Sequence, residues 1–298
     1  MTATARTDAG TLRGMAIPML DLVLQAPVIR AADVAAVAAL SGAAGIRVLP
    51  GVEHQAFRLT RVGQSAVVAE FCAASGFDFA YVPADLRLDR VRVVAMDMDS
   101  TLITIECIDE IADMQGIKPE VAAITQSAMR GEIDFRESLL RRVALLAALP
   151  VAALQRVYDE RLLLSPGAER MLAGFRAAGA RTLLVSGGFT FFTDRLKKRL
   201  GFDETTANEL EVADGRLTGR IVPPIVDAAA KVACLSGMRA RHAQDGGIAI
   251  AIGDGANDLP MLKAADVSIA FHAKPRVRAQ ASYAIDRCGL DAVLNLFA

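Results

Sequence analysis

Two carboxylates one residue apart, in Asp97-Met98-Asp99-Ser100-Thr101, directly follow the apolar run Val91–Met96. A run that apolar reads as a strand buried on both faces, and in open α/β sheets chemistry gathers at the carboxyl ends of such strands. Side chains two apart on an extended segment point the same way, so Asp97 and Asp99 can serve one site. Two carboxylates held that close call for a cation or a proton between them. A divalent metal together with a phosphate would meet that need.

Three further features occupy comparable places. Ser186-Gly187-Gly188 follows the run Thr182–Val185. Lys231 stands near the start of an expected helix behind Asp227, and Gly253-Asp254-Gly255-Ala256-Asn257-Asp258 follows Ile248–Ile252. Together they offer paired carboxylates, a hydroxyl with unobstructed backbone amides, an ammonium and a second acidic cluster. Phosphoryl transfer uses these parts: a nucleophile, a proton carrier, a cation on the phosphate oxygens and donors for the equatorial charge. Each alone has a plainer reading. An Asp-x-Asp is commonly a turn or a helix cap, Ser-Gly-Gly a turn, and a lysine a solvated charge. A lysine in a first helical turn opposes the helix dipole, however, which favours a role. Gly253–Asp258 lacks the alternating ligands and distal Glu of a calcium loop.

In order, DMDSTLI, SGG, the lysine and GDGANDLPML resemble the four motifs of the haloacid dehalogenase superfamily phosphatases, and more narrowly the phosphoserine phosphatases among them. The resemblance runs from about Val91 to the C-terminus. It implies a Mg²⁺-dependent phosphomonoesterase acting on O-phospho-L-serine through an aspartyl-phosphate, the last step of serine biosynthesis. By matching position, Asp97 is the implied nucleophile and Asp99 the general acid and then base. Asp254 binds Mg²⁺ with Asp97 and with Asp99 through its carbonyl oxygen. Ser186, Gly187, Lys231 and Asn257 hold phosphate, while Thr101 and Asp258 support this set from behind. Glu106 matches the glutamate that meets the substrate ammonium, and Arg142 the arginine that takes its carboxylate as a bidentate fork. Met129 and Phe135 match apolar residues that shield the site. Plainer readings also exist here: Glu106 as a favourable charge at a helix start, Arg142 as part of a solvated Arg-Arg face, Met129 and Phe135 as packing residues. Asp109, Glu110 and Glu132 are expected to face solvent.

The elements that must position these residues follow from hydrophobic patterning. Val91–Met96, Arg181–Val185, Ile248–Ile252 and Val267–Ala270 read as strands alternating with helices, hence an α/β fold with a Rossmann-like parallel sheet in residues 90–298. The segment of about 104–164 is helical in pattern and too long for an ordinary crossover, so it reads as a helical cap inserted over the strand ends. Ahead of it, residues 15–84 read as a small α+β unit: strands at 19–24, 46–49, 56–59 and 77–82, with helices at 31–41 and 65–74. That order resembles an ACT-like domain, the amino-acid-sensing module of several amino-acid enzymes; a dimerisation or packing unit fits it equally. Residues 1–14 are expected to be a disordered leader.

Composition narrows the partners. The 298 residues carry a net charge of −1, which gives no global attraction for nucleic acid. No apolar run reaches the roughly 18 residues of a membrane span, and the N-terminus lacks a secretory core, so the expected place is the cytoplasm. Cys72, Cys107, Cys234 and Cys288 are scattered without metal-ligand spacing, which excludes zinc and iron–sulfur sites and suits free thiols. The expected partner is the small substrate alone, with a homodimer through the N-terminal unit. Two alternatives share the core motifs: a phosphotransferase passing phosphate to another alcohol, or a phosphatase for another small phosphorylated molecule. An amino-acid sensor with a vestigial core is a third, opposed by the intact Asp99.

Overall fold

The computed structural model describes residues 19–244 and 246–298, and the expected leader lies outside them. The chain begins with strand β1 (Leu20–Ala26), helix α1 (Ala31–Ser41), strands β2 (Gly45–Leu49) and β3 (Gln55–Val62), helix α2 (Ala66–Ser75) and strand β4 (Asp78–Pro83). Both helices stop at a left-handed glycine, Gly42 and Gly76, whose N–H groups close the last turns. The four strands form one antiparallel sheet in the order β2-β3-β1-β4. Leu22, Leu24, Val34, Val37, Leu59, Val68 and Cys72 fill the space between sheet and helices.

The second sheet starts with β5 (Val91–Met96). The cap follows as α3 (Cys107–Met114), α4 (Lys118–Met129), α5 (Phe135–Ala144) and α6 (Ala152–Glu160). Asp134 caps α5 by accepting from Glu137 N at 2.8 Å. The core resumes with α7 (Ala168–Ala177), β6 (Arg181–Phe189), α8 (Thr190–Leu200), β7 (Glu204–Ala213), β8 (Arg216–Val222), α9 (Ala228–His242) and β9 (Ile248–Gly253). It closes with α10 (Leu259–Ala264), β10 (Val267–Phe271), α11 (Pro275–Arg278), β11 (Tyr283–Ile285) and a 3-10 segment at Leu290–Leu296.

The seven strands run β11-β10-β9-β5-β6-β7-β8. All neighbouring pairs are parallel except β7-β8, an antiparallel hairpin that the purely parallel expectation did not contain. The hairpin was missed because Glu204–Val222 is rich in Glu, Thr and Arg and half exposed, without a buried-strand signature. The inner strands do carry it: β5 and β9 are almost wholly buried, as both faces are covered by helices.

Register does the positioning. Met96 pairs with Ile252 on one side and Leu184 on the other, so three strands end level. Asp97 N donates to Ile252 O at 3.0 Å and extends the ladder one residue into the loop. The cap joins the core at two seams. At its neck an isolated bridge pairs Ile103 with Leu164, Thr104 N donates to Leu163 O, and Ser165 N donates to Leu102 O. Farther out, the α5–α6 loop is stitched to the β7-β8 hairpin: Ala148 N donates to Leu217 O and Leu217 N to Leu149 O, both at 2.8 Å.

Candidate active site

Asp97 leaves β5 in extended conformation and Asp99 is extended as well, with Met98 helical between them, and both side chains reach one cavity. Ser100 then turns left-handed, with φ 54°, a conformation a non-glycine residue holds only when its surroundings fix it. Here Ser100 N donates to Ile105 O, and Ser100 Oγ donates to Glu106 Oε1 at 2.7 Å. The tight turn thereby delivers Glu106 to the cavity.

Asp97 is buried and fully engaged. Its Oδ1 accepts from Met98 N at 2.7 Å and its Oδ2 pairs with Lys231 Nζ at 2.8 Å. Lys231 is 1% exposed and also pairs with Asp258 Oδ1 at 2.7 Å. Its place is set by Asp227, which caps α9 by accepting from Ala230 N at 2.9 Å. Burial opposes the Lys231 charge, but the two carboxylates outweigh it and hold the ammonium protonated. Burial drives the Asp97 carboxyl well up and Asp258 adds to this, with Lys231 pulling the other way. Carboxylate oxygens of Asp97, Asp254 and Asp258 lie within 4.8 Å of one another. This crowding of oxygen donors around one point, with a single buried ammonium to offset it, suits a hard divalent cation. Thr101 Oγ1 donates to Asp254 Oδ1 at 3.0 Å and orients it. The Asp254 carboxyl is pushed up to about 6, first by burial and then by Asp258 and Glu106.

Asp99 stands apart from that carboxylate cluster: its Oδ1 accepts from Cys107 N at 2.9 Å. Burial raises its carboxyl to about 7, Glu106 pushes the same way, and the Cys107 N–H restrains the rise. Near neutrality such a group holds a proton part of the time, which is what a proton carrier requires. The Cys107 thiol is buried and driven far up, so it is no nucleophile.

Ser186 to Gly188 interrupt the β6-β7 ladder. Gly188 N donates to Ser186 Oγ at 2.8 Å. A Cβ on Gly188 would lie 2.6 Å from Asp99 Oδ2, and one on Gly187 would meet Phe135 Cζ at 3.0 Å. Only glycines let this loop pass so close to the acid and to the cap. Asn208 fixes the peptide beneath: its Nδ2 donates to Gly187 O at 2.8 Å, and its Oδ1 accepts from Val226 N at 2.7 Å. The sequence reading missed Asn208; its full burial, which only the structure shows, goes with the backbone groups that it holds.

These groups surround a cavity of about 330 Å³. Asp97, Asp99, Glu106, Phe135, Arg142, Ser186, Gly187, Asp254 and Asn257 line it. Thr101, Lys231 and Asp258 sit behind this wall. Glu106 precedes α3 but does not cap it, so the plain dipole reading is replaced by the bond from Ser100. Arg142 faces inward while its neighbour Arg141 pairs with Glu137 on the outer side of α5. Among the described residues its only hydrogen bond is from Nε to Ser138 O at 3.3 Å, which leaves the far nitrogens of the guanidinium for a ligand.

Met129 is not brought to the cavity. It ends α4 at 71% exposed, since the chain turns away there through Gly131. Asp109 corrects the solvent-facing expectation: it lines the cavity beside Arg142, one helical turn beyond Glu106. Glu110 is half-buried and pairs with Arg161, and Glu132 is exposed. Thr125 and Lys274 also line the cavity and were not foreseen. The strand-end rule applied to β10 would have found Lys274.

Comparison with known proteins agrees with this geometry. The family model of haloacid dehalogenase-like hydrolases matches residues 94–263, and a second of the same description matches 230–297. A domain of unknown function matches 22–66. The chain is 54% identical over 217 residues to the phosphoserine phosphatase of Polaromonas sp. strain JS666, covering 71% of this chain and 92% of that protein. An unliganded crystal structure of a probable phosphoserine phosphatase from Vibrio cholerae superposes with TM-score 0.80 at 33% identity, over 93% of this chain and 85% of that one. A substrate-bound phosphoserine phosphatase complex superposes with TM-score 0.64 at 35% identity, over 70% and 99%. The strand-end carboxylates, the buried lysine and the glycine-lined loop thus sit on a shared scaffold, and the chain belongs to the haloacid dehalogenase-like hydrolases, in their phosphoserine phosphatase family.

Proposed function

We propose that this cavity hydrolyses O-phospho-L-serine to L-serine and phosphate. The observation that carries the substrate is the presence of Glu106 and Arg142 in the same cavity as Asp97. A carboxylate and an unengaged guanidinium suit the ammonium and carboxylate of an amino acid whose phosphate reaches the strand ends. Asp97, Asp254 and the Asp99 carbonyl oxygen would hold Mg²⁺, and Asp258 stands near enough to support it. When bound, the ion would offset the repulsion between the Asp97 carboxylate and the phosphate.

An oxygen of Asp97 forms a bond to phosphorus as the bond from phosphorus to the serine oxygen breaks. Asp99 gives its proton to that leaving oxygen. A water then attacks phosphorus, Asp99 takes the proton back, and the bond to Asp97 breaks to release phosphate. Ser186, the Gly187 amide and Asn257 receive the equatorial oxygens, and Lys231 balances the charge of the Asp97 carboxylate before it reacts and of the phosphate after it. Phe135, over Gly187, excludes water from the reacting end.

Phosphate release from a panel of phosphomonoesters tests the reading. O-phosphoserine is turned over with Mg²⁺ and not after chelation, while phosphoethanolamine, which lacks the carboxylate, is poor. Arg142→Ala raises KM for O-phosphoserine about 10- to 100-fold with a smaller change in kcat, the loss expected for a charged hydrogen-bonded pair. Equal turnover of both substrates by the wild type would sink the assignment.

We also place a homodimer contact on the N-terminal sheet. β2 is its free edge and carries Val48, 77% exposed, and Ile46, half exposed. The opposite edge, β4, is covered by β11. An open antiparallel edge pairs naturally with a second copy about a two-fold axis. Sedimentation should show a dimer that Val48→Lys turns into monomer; an unchanged mass for the variant refutes the contact. Among the described residues no helix is long and apolar enough to cross a membrane. The free cysteines, three of them buried, favour a reducing cytoplasm.

A further inference from the structure

Lys274 is a cation on the core wall of the cavity, and the reaction described above gives it no task. Its backbone N–H donates to Asp254 O at 3.3 Å, and its charge acts on both Glu106 and Asp254. Among the described residues its ammonium has no ion-pair partner. Five carboxylates line this cavity, Asp97, Asp99, Glu106, Asp109 and Asp254, against the two cations Arg142 and Lys274. A substrate carboxylate, which lies away from the phosphate end served by Lys231, therefore has these two cations as its partners in the cavity.

The loop that presents Lys274 is specifically built. His272 is left-handed at φ 46°, held by its own N–H to Ile285 O at 2.8 Å and by Nε2–H to Cys288 O at 3.0 Å. The segment carrying Cys288 is gripped in turn from the N-terminal unit. Buried Asp78, the first residue of β4, accepts from Asp286 N, Arg287 N and Cys288 N at 2.9, 2.9 and 3.0 Å. One carboxylate on three successive amides is a strong constraint. A continuous set of hydrogen bonds thus runs from the small N-terminal sheet, through Cys288 and His272, to the loop bearing Lys274.

We propose that Lys274 is a specificity-determining residue that meets the substrate carboxylate from the core side, opposite Arg142, and that His272 and Asp78 are its positioning residues. This rests on the reading of the cavity as a site for an amino-acid phosphomonoester. Arg142 belongs to the cap and Lys274 to the core, so a carboxylate between them bridges the two bodies. A substrate without that group gains far less from Lys274.

The experiment compares kcat/KM for O-phosphoserine and phosphoethanolamine in the wild type, Lys274→Met, Lys274→Arg, His272→Asn, Asp78→Asn and the Lys274→Met/Asp78→Asn pair. Asn tolerates the left-handed backbone of His272 while removing the ring bond. Lys274→Met should lower kcat/KM for O-phosphoserine about tenfold, through KM, and change that for phosphoethanolamine far less; Lys274→Arg should recover most of the loss. His272→Asn and Asp78→Asn should each lose part of the same preference, and adding Asp78→Asn to Lys274→Met should lower it no further. Equal losses on both substrates overturn the carboxylate contact. Full additivity in the double variant, or an Asp78→Asn variant with wild-type preference, overturns the positioning role. The wild-type preference for O-phosphoserine tests the underlying substrate reading on its own.

Discussion

Asp97→Asn should reduce phosphate release from O-phosphoserine at least about a thousandfold, the scale seen when a covalent nucleophile is lost. The amide keeps the size of the side chain but is too weak a nucleophile to form the acyl-phosphate. Stability should barely move. Lys231 retains Asp258 at 2.7 Å, and the substitution removes one negative charge from a group of buried carboxylates that repel one another. Thermal unfolding within a few degrees of wild type, together with the lost turnover, separates a chemical role from a structural one. Substantial residual turnover by the purified variant would remove Asp97 from the mechanism.

Lys231→Met is the second large effect, and it reaches the fold as well as the activity. The wild-type ammonium is the shared partner of Asp97 and Asp258, and all three side chains are almost fully buried. Removing one member of a buried ion pair leaves its partners uncompensated, at about 3–5 kcal/mol. For a chain of this size the unfolding midpoint should drop by about 5–15 °C. The loss depends on pH with a definite sign. Burial and Asp258 already hold the Asp97 carboxyl above its ordinary value, and without Lys231 the one positive charge opposing them there is gone. A carboxyl raised in the folded state favours folding while it is protonated, and that contribution disappears as pH rises through its folded value. The variant should therefore be closer to wild type at pH 5.5 than at pH 8 in a calorimetric comparison. Added Mg²⁺ should recover part of the deficit at pH 8. A deficit independent of both pH and Mg²⁺ would mean that packing of the lysine stem, and not its charge, is what the cluster needs.

The chemical core was legible because its parts depend on short-range rules. A fully buried strand followed by Asp-x-Asp, and a second followed by Gly-Asp-Gly, place charges at strand ends whatever the rest of the chain does. Level register between β5, β6 and β9 then brings the three loops together. Lys231 was legible as a misfit, a cation in the first turn of a helix, and the structure explains it by two carboxylates. The cavity wall was harder to read. Asp109 and Glu110 are adjacent on α3, yet one lines the cavity and the other pairs with Arg161. The apolar stripe of Cys107, Ile108, Ile111 and Ala112 fixes the rotation of α3, but Asp109 and Glu110 flank it on opposite sides, and which of them meets the cavity depends on how the cap sits over the core. Met129 was placed by spacing alone, and the turn through Gly131 carries it outward. The β7-β8 hairpin escaped because its strands are exposed on one side and charged, so patterning gave no run to detect. Asn208 and Asp78 act on backbone groups far away in sequence, and no local pattern reports such a partner.

The two seams between cap and core restrict how the cavity can be entered. A body attached at one point can tilt about any axis, whereas one attached at two can only pivot about the line that joins them. The neck ladder at Ile103 and Leu164 and the stitches from the α5–α6 loop to the hairpin define such a line. Travel of the cap is thus that of a door on two pins: amplitude grows with distance from the pins and vanishes beside them. Glu106, only a few residues past the neck, would keep its station during any such swing.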